Sequence, residues 1–392
     1  MKKKYLRFMA AILCLSLICG SFVVNADSLS DSVTEQTADE VSNEYPDESS
    51  YDPMTEYPDD EQEEKTIDMS KVSLETNSVT SYLMPTYYYR SKPYYNADSV
   101  YIPIISEYNF DYIDRDDFSY TSSNKKLELN VSIYDNKVAI YQYGNKTGKS
   151  TITINLYGKE FVINYTSKKV GISDQQYLLI KGKKKKLKVT GYAGKIVWKS
   201  SNPKIATVNS KGVVKGKKYG NVIITAKIGD KFLGCAVSVT NKKLKNVTKR
   251  ATYMGTHWKY SQEKRNQKGY YDCSALVWKA YKEKARINFG STSWPSTADY
   301  EAFWCRDHKR MVKGGLTYKK IKKMTVNPGD LLFKSTSMKK KYKDIYHVEM
   351  FTGYFCHSVN SDGTANYSPT WAARGTGYMW EEGSLLGRPM KY

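Results

Sequence analysis

Through the first two-thirds of the chain, apolar and polar residues alternate in short runs. In Ser150-Thr151-Ile152-Thr153-Ile154-Asn155-Leu156 the three apolar side chains fall on one side of an extended strand and the polar ones on the other. That period of two marks a half-buried strand. "KLELNVSIYD", "KVAIYQYG" and "KEFVINYTS" repeat the pattern between Asn, Gly and Lys turn clusters. Ahead of them, "YLMPTYYYRSKPYYNADSVYIPII" is dense in strand-favouring Tyr, Val and Ile. Strands this short and this closely spaced predict an all-β domain over 66–170.

A second all-β unit is predicted over 171–241, where "NVIITAKI" and "KFLGCAVSVT" keep the same alternation. Cys235 shares the parity of Leu233, Val237 and Val239, which makes it a core residue. Residues 122–154, "SSNKKLEL…YGNKTGKSTITI", echo "SSNPKIAT…GKKYGNVIIT" with a longer insertion, so the two units read as diverged copies of one module. Stacked, they would form a stalk. From about Asn246 the period changes. Leu276, Val277, Ala280 and Tyr281 recur at helical spacing and predict a helix over 273–285, and residues 294–304 hold a second candidate. "PGDLLFKS" and "YHVEMFTGYF" read as strands, giving an α+β domain over 246–392.

Composition adds the two ends of the picture. Residues 1–26 have a basic start, an apolar middle and a small-x-small ending at Ala26, the pattern of a secretory signal peptide. Residues 27–65 are expected to be a disordered acidic linker, because they hold too few large aliphatic residues to offset their ordering entropy. Five of the 61 lysines and arginines and 15 of the 40 acidic residues precede Thr66, so residues 66–392 carry 56 against 25, a net +31. For an exported chain with no later membrane-spanning segment, the polyanions to expect are wall phosphate polymers, not nucleic acid, and no membrane is expected as a partner after signal cleavage. Beyond the signal, four cysteines remain in a long chain, which is not a disulfide framework.

Cys273, in "YYDCSALVWKAYKE", falls in the first turn of the predicted helix, with Asp272 or a neighbour placed to cap it. Free N–H groups and the helix dipole favour an anion there and lower a thiol's pKa. Local pattern alone leaves two readings open, a buried packing cysteine or a nucleophile. A nucleophile needs a base, and His347 opens a strand whose alternation separates it from Val348 and Met350. His257, His308 and His357 read as non-catalytic. Cys305 and His308 in "CRDH" do not make a metal-ligand set, and no metal or other cofactor is implied.

Two resemblances sharpen this reading. "VWKSSNPKIATVNSKGVVKGKKYGNVIITA" resembles the bacterial Ig-like domain of group 2, a sandwich common on surface and wall-associated proteins. "YDCSAL", "PGDLLF" and "HVEMFTGY", in that order across 246–392, resemble the NlpC/P60 family of papain-like cell-wall cysteine peptidases. That resemblance implies a secreted peptidoglycan endopeptidase cutting stem peptides, often beside D-glutamate. Cys273 is then the nucleophile and His347 the base, and Tyr271, Asp272 and Ser274 are substrate-binding. Two positions depart from the family pattern. Ala275 stands where glycine is usual, and a third polar residue should orient the imidazole from the next strand. A hairpin turning near Ser361-Asp362 puts Ala372 and Ala373 opposite Met350 instead, and Thr370 or Arg374 would serve only after a register slip. The alternatives are a wall-binding surface protein of weak or no activity, and an N-acetylmuramoyl-L-alanine amidase of the related Cys-His type.

Overall fold

The computed structural model describes residues 67–89, 92–96, 99–110, 113, 116–336, 342–372 and 384–392. The expected signal peptide and acidic linker lie outside the described residues, as do Ala373 and Arg374. From Thr66 onward the chain forms one compact unit of two β-sandwiches followed by a mixed helical and sheet region. No described helix is long and apolar enough to cross a membrane.

The sandwiches are the same module. In the first, the central strands of one sheet run Ser78–Tyr89, Lys159–Lys169, Gly148–Leu156, Phe118–Ser122; in the second, Gln176–Ile180, Lys231–Thr240, Gly220–Ile228, Ile196–Ser200. Each series opens with a parallel pair and continues antiparallel. The echoed "SSN" is repeated atom for atom. Ser123 N–H donates to the Thr151 carbonyl and its hydroxyl accepts from Thr151 N–H, as Ser201 does with Ile223. The spans differ, 28 residues against 22, which is the insertion seen in the sequence. Asn124 and Asn202 each accept from the N–H two residues on, closing the same turn. Cys235 lies in the second core beside Val237 and Val239.

The third region begins earlier than 246. Asn241 Oδ1 accepts from Leu244 N–H at 2.8 Å and caps a helix over Lys242–His257 directly after the last Ig-like strand. The cysteine helix spans Cys273–Ala285, as predicted, and the next spans Ala298–Asp307. Four antiparallel strands follow in the order Ala365–Ala372, Ile345–Val359, Leu331–Ser335, Leu385–Gly387. Leu331, Phe333, Val348 and Met350 pack against the helices. Leu332, Phe351, Tyr354 and Cys356 share a second core with Ile223 and Ala236 of the Ig-like module.

That second core corrects the expected stalk, because the second sandwich is fused to the α+β region. Gln175 carbonyl oxygen accepts from both Ala236 N–H and Cys356 N–H, at 3.0 and 3.1 Å. Gln176 Nε2 donates to the Thr352 carbonyl and the Thr370 hydroxyl, and Asn221 Nδ2 donates to the carbonyls of Met324 and Val326. Gly353 has φ +138°, a backbone conformation that favours glycine, and an added Cβ there would displace the Gln176 amide, 2.5 Å away, from its hydrogen bonds across the two bodies.

Candidate active site

The site is assembled around the start of the cysteine helix. Asp272 is its N-cap: Oδ1 accepts from Ala275 N–H at 2.7 Å and Oδ2 pairs with Arg265 Nε at 3.0 Å. Arg265 also donates to Ser274 Oγ at 2.9 Å and to the Ser296 carbonyl. Asp272 and Ser274 are both buried and joined to this guanidinium, an arrangement that serves the helix start instead of offering free oxygens to a substrate amine. Lys279, two turns along, reaches back to the carbonyls of Arg265, Gln267 and Tyr270 and fixes the loop that carries Arg265. Tyr271 is half-buried, with its ring edge-on to Tyr260 at 5.7 Å. Burial first, and then the charges of Cys273 and Asp272, push the Tyr260 hydroxyl upward.

"PGDLLF" has a structural task. Asp330 is buried and bound bidentately by Arg388, both distances 2.7 Å. Gly329 has φ +92° and leaves no room for a Cβ against Leu244 and Tyr281. The turn thereby ties the first two helices to the sheet.

His347 stands on the strand Ile345–Val359, near enough to Cys273 for the two groups to act on each other. Its Nε2 lies 3.4 Å from Glu349 Oε1, off the line of a straight hydrogen bond. Burial alone would favour the neutral ring. The interactions with Cys273 and Glu349, polar and electrostatic, outweigh it and raise the His347 pKa from 6.5 to about 9. The imidazolium is therefore the form at neutral pH. Behind Cys273, Glu301 is fully buried, and Ser296 Oγ donates to it at 3.1 Å. Burial, then the charge of Cys273, pushes its carboxyl well above the carboxylate range.

Cys273 and His347 are thus brought together, while the other histidines are apart from them. His308 stacks on Trp304 at 4.0 Å, His257 on Tyr253 at 4.4 Å, and His357 Nε2 meets Ser368 Oγ. Ala372 is opposite Met350, as the hairpin reading predicted, and Thr370 is opposite Gly353 with its hydroxyl bonded to Gln176, Thr352 and Gly353. Ala373 and Arg374 are outside the described residues. All four described cysteines are free, with Cys305 and Cys356 in different cores. Among the described residues no cluster of three His, Cys, Asp or Glu could hold a metal. Sequence reasoning missed Arg265, Lys279, Glu301, Lys334 and Glu349. Only Glu349 carried a signal, sharing strand parity with His347.

A second feature is a basic face. Residues 181–218 contain many lysines and no Asp or Glu. Lys184 lies directly opposite Lys215 in register, a like-charge pairing that costs stability unless an anion screens it. Lys185 and Lys245 both sit over the Tyr177 ring, at 4.4 and 5.0 Å.

Comparison with known proteins places part of the chain. Residues 167–239 match the model of the bacterial Ig-like domain (group 2). The NlpC/P60 family is not among the matches, and no curated protein matches the chain. Among solved structures, a C-terminal 282-residue intimin fragment, in complex with the intimin-binding domain of the translocated intimin receptor, is 14% identical. The match covers 59% of this chain and 87% of that one, with a TM-score of 0.27. Invasin, a bacterial integrin-binding protein, is 13% identical over 43% of this chain and 38% of its own, TM-score 0.27. Domains 1–6 of the surface-layer protein SbsC are 20% identical over 38% and 24%, TM-score 0.18.

Proposed function

We propose that the chain is a secreted, cell-wall-associated cysteine peptidase of papain-like type that cleaves stem peptides of peptidoglycan. The observation that carries this reading is the meeting of Cys273, at a helix N-terminus, with His347 from a distant strand. With Nε2 turned to Glu349, Nδ1 is the nitrogen left for the sulfur. The thiolate attacks an amide carbonyl, and backbone N–H groups of the first helical turn receive the oxyanion. The His347 imidazolium then gives its proton to the leaving amine, and the C–N bond breaks. Water, deprotonated by the now neutral ring, hydrolyses the thioester and frees the sulfur. The N-terminal signal pattern and the Ig-like module support export and a wall location.

Incubating the chain with muropeptides and weighing the products tests the reading. New termini within the stem peptide support it. Release of an intact stem from the sugar indicates the amidase instead, and no product at all rejects hydrolysis.

The proton on His347 also sets a pH dependence. Its folded pKa of about 9 lies above the ordinary 6.5. The ion pairing is therefore complete below about pH 6.5 and is lost as pH rises through about 9. We expect kcat/KM to fall along an alkaline limb centred near 9, because the ring no longer holds a proton for the leaving amine. A profile flat to pH 10.5 would contradict this.

The lysine face favours a second, compatible reading as a polyanion-binding surface protein. Lys184, Lys186 and Lys215 carry the charge of one sheet face. Replacing all three by glutamine is expected to reduce the slope of log affinity for linear inorganic polyphosphate against log salt by about 2, at 0.7–0.9 per contact. An unchanged slope would place binding elsewhere.

A further inference from the structure

Glu349 is 2% exposed and Lys334 8%, and they form an ion pair at 3.1 Å. Burying such a pair is commonly neutral or costly for stability compared with apolar residues of the same size. Its location is therefore informative. On Ile345–Val359, positions 347 and 349 are two residues apart and share one side of the strand. Lys334, on the neighbouring strand Leu331–Ser335, is the register partner of His347, and Leu332 is that of Glu349. Lys334 thus reaches diagonally to the carboxylate while standing beside the imidazole. Both Lys334 Nζ and His347 Nε2 converge on the same oxygen, Glu349 Oε1. Among the described residues, pairing with the strand on the other side ends at Ala372, opposite Met350.

We propose that Glu349, held in place by Lys334, is the positioning residue that fixes the tautomer and the charge of His347. It does from two places along the histidine's own strand what the sequence pattern assigned to the next strand. Lys334, Glu349 and His347 then form a run of polar groups that meet at one carboxylate oxygen. The other titratable groups that act on Cys273 or Asp272 are Arg265, Glu301 and Tyr260. The role in catalysis rests on the peptidase reading, whereas the effect on the thiol does not.

The test uses the full chain and measures two things without any substrate. These are the rate of Cys273 carboxamidomethylation by iodoacetamide against pH, with the site located by mass spectrometry, and the His347 titration by NMR of the labelled imidazole. Glu349→Gln keeps the shape and removes the charge. It is expected to lower the His347 titration midpoint by at least about one unit and to slow alkylation at pH 6 about tenfold. Lys334→Met removes a cation that shares Glu349 Oε1 with the imidazole and leaves the carboxylate to His347 alone, so it should not reproduce the fall, and the double variant K334M/E349Q should follow E349Q. If E349Q does not fold, K334M/E349L replaces the pair by apolar bulk and is read in the same way. An unchanged midpoint and alkylation profile in a folded Glu349 variant would overturn the proposal. If the profile shifts but the wild-type chain cleaves no muropeptide, the positioning role stands and the peptidase reading fails. If cleavage is seen with no shift, the reverse holds.

Discussion

Substituting alanine for Cys273 is expected to reduce muropeptide cleavage by about 10⁴-fold or more, with the fold intact. The magnitude follows from removing the only atom that forms a covalent bond to substrate, since groups that act as one unit lose nearly all of their effect together. Stability should change little. The sulfur is one small buried atom beside Leu276 and Val277, and losing it costs about 1 kcal/mol. Circular dichroism and the melting temperature of the variant should match those of the parent while product formation disappears. Equal product from both proteins would rule out the enzyme reading, leaving the polyanion-binding surface protein. His347→Ala should approach the same loss, whereas Ser274→Ala should act chiefly through the Arg265 network that holds the helix start.

Cutting the chain at residue 246 is expected to yield a fragment, 246–392, that is insoluble or shows no cooperative melt. Two causes combine. The cut removes the Asn241 cap and Leu244, a core residue of the first helix, which costs about 1 kcal/mol for the cap and about 2 for the side chain. It also removes the partners of five hydrogen bonds, those at Thr352, Thr370, Met324, Val326 and Cys356, each worth about 1 kcal/mol. Ile223 and Ala236 leave the second core with them. The total is comparable with the stability of a whole domain, about 5–15 kcal/mol. Starting at 241 restores the helix but not the fused face, and starting at 167 restores both. Urea melts of the three fragments separate the two causes. If 241–392 proves as stable as 167–392, the Ig-like module contributes nothing to the fold of the α+β region.

Much of this protein is legible along the chain because the signals are local. Alternation in "STITINL" depends only on neighbours, and it places Ile152, Ile154 and Leu156 in the first core as expected. The helix over Cys273–Ala285 was readable from its apolar spacing and from Asp272 at its start. The repeated "SSN" turns were visible because their hydrogen bonds close within a few residues or onto one adjacent strand. Register against Ala372 could be counted through a short hairpin. The fused Ig-like module was not readable, since Gln176 and Thr370 meet across a long sequence separation with nothing between them to mark it.

From residue order alone came the β-modules, the helix that presents Cys273, and the strand that carries His347, because periodicity, capping and turn chemistry act over a few neighbouring residues. Tertiary packing decided what stands around the sulfur. It bound Asp272 and Ser274 to Arg265, buried Glu301, and turned a Lys334–Glu349 pair onto the imidazole. Those partners lie far apart along the chain or on adjoining strands. Glu301 and His347 acquire shifted proton affinities only once folding has removed the water around them.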